Sequence, residues 1–277
     1  QFYGLLGPNG AGKSTTINIL TGLVLRQKGT TRVFGRDTVR DFRFTRAQIG
    51  IAAQELSVDW FFPLEKLLYF QAGYYGISTR RARPRVEMLL KKLGLWDKRA
   101  ERLRNLSGGM KRRFQLAKAL IHDPKILILD EPTAGVDVEL RRELWRYLRE
   151  LHQEGKTILL TTHYIEEAEL LCEHVSIIDQ GRVIEEGPPK DLIRNLGTAG
   201  MTVHLTGWDS ALDDLLKDYT FTREENRLHF SLQRPEEAMP RIITLLARHG
   251  CTIQSVDISQ PTLEDVFLHL TGKGINE

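Results

Sequence analysis

Residues 7–14 read Gly-Pro-Asn-Gly-Ala-Gly-Lys-Ser, an instance of G-x-x-x-x-G-K-[ST], set between the apolar run Phe2–Leu6 and an amphipathic stretch, Ser14–Leu23. No other feature restricts the fold so tightly. A phosphate is wrapped closely only by backbone whose amides turn inward with no Cβ in the way, which gives Gly7, Gly10 and Gly12 a reason to be glycine. Pro8, Asn9 and Ala11 fill the open positions of the loop. The helix that follows turns its positive N-terminal end to the same anion. Lys13 is placed to reach the β and γ phosphates, Ser14 to ligate Mg²⁺ through its hydroxyl, and Thr15 joins them among the phosphate contacts. At ordinary residue frequencies such a turn arises by chance about 0.01 times per chain of this length. The loop therefore predicts a nucleotide phosphate site at the end of a strand.

Through residue 195, short β-rich apolar runs alternate with amphipathic stretches. Strands are predicted at Phe2–Leu6, Thr31–Phe34, Ile49–Ala53, Ile126–Asp130, Thr157–Thr162, Val175–Asp179 and Arg182–Glu185. Helices are predicted at Ser14–Leu23, Glu65–Tyr75, Arg85–Leu93, Gly109–Ile121 and Val138–Gln153. Continuously apolar strands separated by helices predict a mostly parallel sheet covered on both faces, an α/β fold. At Leu196–Gly200 the texture changes, and a linker is predicted there. Beyond it the pattern reads strand (Thr202–Leu205), helix (Ser210–Lys217), strand (Arg227–Leu232), helix (Glu236–Arg248), strand (Thr252–Ile258), helix (Thr262–Leu270). Thr262 and Asp265 form a helix-start capping pair. The division is thus 1–196 and a small C-terminal α+β domain over 201–277, with a ferredoxin-like arrangement as the candidate.

Composition narrows the function classes. With 277 residues and 41% apolar content the chain buries real cores for one or two domains. A net charge of +3 is too small for bulk affinity to nucleic acid or acidic lipid. Two cysteines, Cys172 and Cys251, build neither a disulfide framework nor a thiolate metal site, which points to a reducing compartment. No apolar run is long enough to span a bilayer, and Phe2–Leu6 lacks the basic lead-in of a secretory signal.

Two more segments carry chemistry. Ile126-Leu127-Ile128-Leu129-Asp130-Glu131-Pro132 is a buried strand delivering carboxylates to its C-terminal end, where ligands of open α/β sheets bind. Beside the phosphate loop, Asp130 is placed to hold Mg²⁺ through water and Glu131 to polarise an attacking water. Leu106-Ser107-Gly108-Gly109-Met110 is a helix start in which Ser107 caps and two glycines leave a second helix N-terminus bare enough for phosphate. One chain rarely needs two such seats unless they meet across a dimer.

The order Gly7–Ser14, Gln54 after a strand, Leu106–Met110, Asp130–Glu131, Ala134–Asp137 and His163 resembles the ATPase subunit of an ABC transporter, over about residues 1–195. The resemblance implies a P-loop NTPase fold with a helical subdomain, and two copies closing head to tail. ATP on Lys13 of one copy is then covered by Ser107, Gly108 and Gly109 of the other. It further implies that Gln54 contacts Mg²⁺ and the attacking water, that Asp137 faces the partner, and that His163 contacts the γ phosphate. Met110–Arg113, Ala134–Asp137 and the tail Pro261–Phe267 are similar to exporter ATPases of the drug-resistance, nodulation-factor, sodium-efflux and polysaccharide type. Such subunits pair with a separate membrane permease, which would hold this chain at the cytoplasmic face of the plasma membrane. Six residues precede Gly7, whereas family members start well upstream, so the N-terminal strands and the adenine-stacking aromatic are expected to lie outside this sequence.

Seven of the 22 aromatic residues fall between Trp60 and Tyr75, too dense for composition alone. Two readings stand: the core of a helical subdomain, or a groove that receives a permease helix. The basic run Arg80, Arg81, Arg83, Arg85 lacks interleaved aromatics and reads as a solvated face, so nucleic acid is not an expected partner. The competing function is a soluble ABC ATPase acting on DNA or ribosomes. Against it, Ser107 follows Lys13 by only 94 positions with no sustained heptads between, and the chain holds one cassette.

Overall fold

The computed structural model describes residues 1–53, 61–196, 199–207, 212, 215–224, 226–232, 235–259 and 261–272. They fall into two compact units, Gln1–Pro189 and Lys190–Gly272. The first is built on a six-stranded sheet containing β1 (Phe2–Leu6), β4 (Ile49–Ala52), β5 (Ile126–Asp130), β6 (Thr157–Thr161), β7 (His174–Asp179) and β8 (Arg182–Gly187), in the order β4-β5-β6-β1-β7-β8. The first five strands are parallel and β8 is an antiparallel edge. Consecutive residues, which face opposite sides of the sheet, are buried together at Leu5 and Leu6, Leu127 to Leu129, Leu160 and Thr161, and Val175 to Ile178, so the continuous apolar runs of the inner strands have their physical cause in burial on both faces. The turn into β8 is two residues, Gln180 and Gly181, with φ of 48° and 76°; two successive left-handed residues match the twist of a tight hairpin.

Several elements differ from the sequence expectation. Helix α1 (Lys13–Leu20) stops at Gly22, whose φ of 74° closes it before Leu23. The predicted strand at Thr31–Phe34 shortens to β2 (Arg32–Val33), paired with β3 (Arg36–Asp37) across Phe34–Gly35. Helix α2 (Phe42–Gln48) was not predicted, because it buries only Thr45 and shows no apolar stripe. Helix α3 (Leu64–Tyr74) buries Leu64, Leu67, Leu68 and Ala72. Helix α4 (Thr79–Lys92) begins six residues before the predicted Arg85, continuing through Pro84 because its buried stripe runs from Ala82 through Val86 to Leu89 and Leu90. These two pack with α5 (Gly108–Leu120) into a helical subdomain around Leu68, Leu89, Leu90, Leu103 and Phe114. Helix α6 (Val138–Gln153) matches its prediction, and α7 (Ile165–Leu171) is a further unpredicted helix.

The aromatic segment resolves toward the surface. Phe61 and Phe62 are 69% and 38% exposed, Phe70 and Tyr74 are exposed as well, and none of the described aromatics there joins the buried stripe of α3. Phe62 and Phe70 meet edge to face at 5.1 Å. Trp60 lies outside the described residues.

The second unit opens with α8 (Pro189–Leu196) and carries an antiparallel sheet of β9 (Ala199–Thr206), β10 (Thr220–Glu224), β11 (Arg227–Leu232) and β12 (Thr252–Ser259), ordered β10-β11-β9-β12. That is the strand order of a ferredoxin-like sheet. Helix α9 (Pro235–Arg248) links β11 to β12, and Met201, Val203, Phe230, Ile242 and Leu246 form the core. The helix predicted at Ser210–Lys217 falls largely outside the described residues. Helix α10 (Leu263–Thr271) opens with the predicted capping box of Thr262 and Asp265. Among the described residues no helix is long and apolar enough to cross a membrane.

Candidate nucleotide site

Parallel strands in register bring the predicted residues to one level. Ala52 pairs with Leu129, Asp130 with Thr161, and Thr161 with Leu5, so the segments that follow β4, β5, β6 and β1 all emerge at the same end of the sheet. Gly10 and Gly12 take φ of 80° and 107°, a conformation that favours glycine. At Gly7 a Cβ would sit 2.4 Å from the Ile178 carbonyl oxygen, so close packing against β7 requires glycine there. The loop is backed by the β7–β8 turn, where the Gly181 N–H donates to the Ala11 carbonyl at 2.9 Å. Lys13 Nζ donates to the carbonyls of Gly7 (2.6 Å) and Pro8 (3.1 Å). Burial holds the Lys13 ammonium below its ordinary value, partly countered by the charges of Glu131 and Asp130, so these three groups share one electrostatic environment. Ser14 and Thr15 are exposed at the start of α1.

At the end of β5, Asp130 Oδ1 accepts from the Thr161 hydroxyl at 2.5 Å. Glu131 follows with φ 50°, a left-handed conformation that costs a non-glycine residue about 1 kcal/mol or more. Its backbone is fixed on both sides. The N–H donates to the Thr161 carbonyl at 2.9 Å, and the carbonyl accepts from Arg112. Glu131 Oε2 lies 3.4 Å from His163 Nδ1, which joins the two predicted catalytic groups in one place. Just behind them, Glu167 is buried and accepts from Trp145 Nε1 (2.7 Å) and the Thr133 hydroxyl (3.2 Å). Burial pushes its carboxyl above the ordinary value.

Ser107 caps α5, its hydroxyl accepting from the Met110 N–H at 3.3 Å, and Ser107 and Gly108 are exposed. Asp137 caps α6, with Oδ1 accepting from the Leu140 N–H at 2.8 Å. The two helix starts are packed together, since a Cβ on Gly109 would meet Leu140 Cδ2 at 2.4 Å. Gln54 lies outside the described residues. Sequence reasoning missed Arg112 and Gln115, which reach the main-chain oxygens of Ala53 and Glu131, and Thr161, whose hydroxyl meets the Asp130 carboxylate from the neighbouring strand. The donor set of Ser14 hydroxyl and Asp130 carboxylate consists of hard oxygens, which suits Mg²⁺. Among the described residues no group of three or more His, Cys, Asp or Glu is gathered as a metal cage.

A phosphate loop, an acidic strand end and a histidine on adjacent parallel strands define a nucleoside triphosphatase. Residues 1–134 match the ABC transporter family, and residues 187–271 match the C-terminal domain of DrrA1-3-like ATP-binding proteins. Similar proteins include the linearmycin resistance ATP-binding protein LnrL of Bacillus subtilis, 34% identical over all of this chain and 91% of its own length. The Nod factor export ATP-binding protein I of Paraburkholderia xenovorans is 39% identical over all of this chain and 90% of its own. Among solved structures, an ATP-binding subunit of an ABC transporter is similar with a TM-score of 0.66 and 30% identity, over 71% of this chain and 82% of that one. A dimeric ATP-binding cassette in a post-hydrolysis state with ADP and Pi is similar with a TM-score of 0.63 and 26% identity, over 68% of this chain and 85% of that one. The chain belongs to the ABC transporter ATP-binding family. It is an ATP-binding and ATP-hydrolysing subunit of the exporter class, and action on DNA or ribosomes finds no support among these relatives.

Proposed function

We propose that two copies close head to tail on two ATP molecules and that hydrolysis drives a separate export permease at the cytoplasmic face of the membrane. In this reading Gly7–Ser14 and Thr15 hold the triphosphate, and Lys13 exchanges its bonds to Gly7 and Pro8 for the β and γ phosphates. Ser107, Gly108 and Gly109 of the partner cover the same nucleotide, and Asp137 faces the junction. Ser14, Asp130 and Gln54 would hold Mg²⁺, which supplies charge neutralisation at the phosphates. Glu131 takes a proton from the attacking water while His163 contacts the γ phosphate. The observation that carries the reading is the Glu131–His163 pair, 3.4 Å apart, on strand ends level with the phosphate loop. The exposed aromatics Phe61 and Phe62 are the surface we assign to the permease. The division into a nucleotide-binding domain through 196 and an accessory domain from 201 belongs to the same reading. Relatives named for linearmycin and daunorubicin resistance and for Nod factor export support export as the direction.

Glu131→Gln tests it. ATP binding should survive, the closed dimer should accumulate, and turnover should fall about 10²- to 10⁴-fold, the range for a general base. Near-normal turnover removes Glu131 from the role.

A further inference from the structure

One guanidinium joins the helix that begins at Ser107 to the backbone of Glu131. Arg112 lies on α5, about one turn beyond the exposed Ser107 and Gly108. Its Nη2 donates to the Glu131 carbonyl oxygen, and its Nη1 donates to the Ala53 carbonyl (3.4 Å) and to Gln115 Oε1 (2.9 Å). Gln115 is buried on the same helix and sends Nε2 to the same Ala53 oxygen at 2.9 Å. The carbonyl that Arg112 holds belongs to a residue with φ 50°, a conformation a glutamate keeps only when its surroundings impose it. Thr161 secures the N–H side of that residue and Arg112 the carbonyl side. The direction of the Glu131 side chain is set between them.

We propose that Arg112 is a positioning residue for ATP hydrolysis, fixing the direction of the Glu131 carboxylate and tying it to the placement of α5. The inference rests on the assignment of Glu131 as the base and deepens it. Because α5 starts at Ser107, the residue assigned to the partner's ATP, one rigid helix links closure on one nucleotide to the base that acts on the other. The planar fork of arginine suits this role, because it serves two carbonyls and an amide oxygen at once, in directions a lysine ammonium does not reproduce.

Arg112→Met and Arg112→Lys, each alone and combined with Glu131→Gln, test this in the full chain. Folding is followed by thermal melting, ATP binding by titration to stoichiometry, and hydrolysis by single turnover per bound ATP. Arg112→Met should lose ten- to a hundredfold in turnover, the scale of an ångström-level misplacement of a catalytic group, with ATP affinity kept. Arg112→Lys should recover part of it. In the Glu131→Gln background, removing Arg112 should cost less than about twofold more, since the group it positions is gone. A general structural defect multiplies with Glu131→Gln instead, and full multiplication overturns the proposal, as does normal turnover in Arg112→Met. Should Arg112→Met fail to fold, the same comparison on Arg112→Lys decides in the same two directions. If Glu131→Gln alone keeps normal turnover, the base assignment falls first and takes this proposal with it, an outcome visible in the single variant.

Discussion

His122 makes the stability of this protein depend on pH in a way that one substitution removes. Its Nε2 lies 3.0 Å from the Ile49 carbonyl and so donates to it, which leaves Nδ1 as the unprotonated nitrogen. Nδ1 is buried with no hydrogen-bond partner among the described residues. The ring stacks on Tyr75 at 3.6 Å with an interplanar angle of 3°. Burial above all, with the nearby charges of Arg85 and Lys156, lowers the imidazole from 6.5 to about 4, against a smaller opposing pull from Ile49 and Asp123. Between those values the unfolded chain takes up a proton that the folded chain refuses. The contribution is therefore fully present above pH 6.5 and is lost as pH falls toward 4. From pH 7 to pH 5 the linkage amounts to about 2 kcal/mol, and about 1 kcal/mol once screening at a partly exposed site is allowed for. For a chain of this size that is roughly 2–4 °C in Tm. The assay compares melting of the parent and His122→Gln at both pH values; glutamine keeps a donor for Ile49 and does not titrate. Glu167, raised by burial, works in the opposite direction, and Asp123, lowered by Lys156 and Arg85, adds a loss at lower pH, but both are common to the two proteins. The variant should lose less stability than the parent. Equal losses refute the reasoning.

Thr161→Val keeps the shape of β6 while removing the hydroxyl that Asp130 accepts from; turnover should fall about tenfold, with stability lower by about 1 kcal/mol, in ATPase assays and urea melts. Ser107→Arg mixed with Lys13→Ala should regain partial activity that neither shows alone, because a two-fold dimer then has one site with both lesions and one with neither. No regain in the mixture speaks against a shared site. Phe61→Asp, at an exposed position, should leave ATPase activity of the isolated subunit nearly intact while weakening co-purification with the permease; unchanged assembly would clear this face of the role.

Where a segment is buried on both faces, its position was readable from a continuous apolar run, as at Phe2–Leu6 and Ile126–Asp130, whereas Arg227–Leu232 was readable from the alternation that buries Leu228, Phe230 and Leu232. Helix α6 was readable for a different reason, a strong apolar stripe behind an Asp cap. Helix α7 was hidden because Glu167, an acid, occupies one of its inward positions and is satisfied there by Trp145 and Thr133. Strand β10, Thr-Phe-Thr-Arg-Glu, offers only Phe221 toward the core and looks like a loop. In the site, the residues that touch phosphate or metal in the family pattern carry a local motif, whereas those that aim them do not. Arg112 reaches Ala53 across 59 positions and Gln115 reaches it across 62, and both meet a main-chain oxygen, which every residue type possesses. No spacing rule detects a contact of that kind.

The turn at Gln180–Gly181 bears on what counts as the phosphate-binding unit. Gly181 is hydrogen-bonded to Ala11, and the Ile178 carbonyl leaves no room for a side chain at residue 7. The shape of the loop is thus set in part from outside, by a hairpin tip far along the chain. An octapeptide moved into another sheet would carry its glycines and its lysine and leave behind the surface that presses it into form. The portable module is discontinuous: residues 7–14 with 178–181, held at a fixed distance by the pairing of β1 with β7. A graft designed on the motif alone should bind phosphate poorly, and one that brings the hairpin should do better.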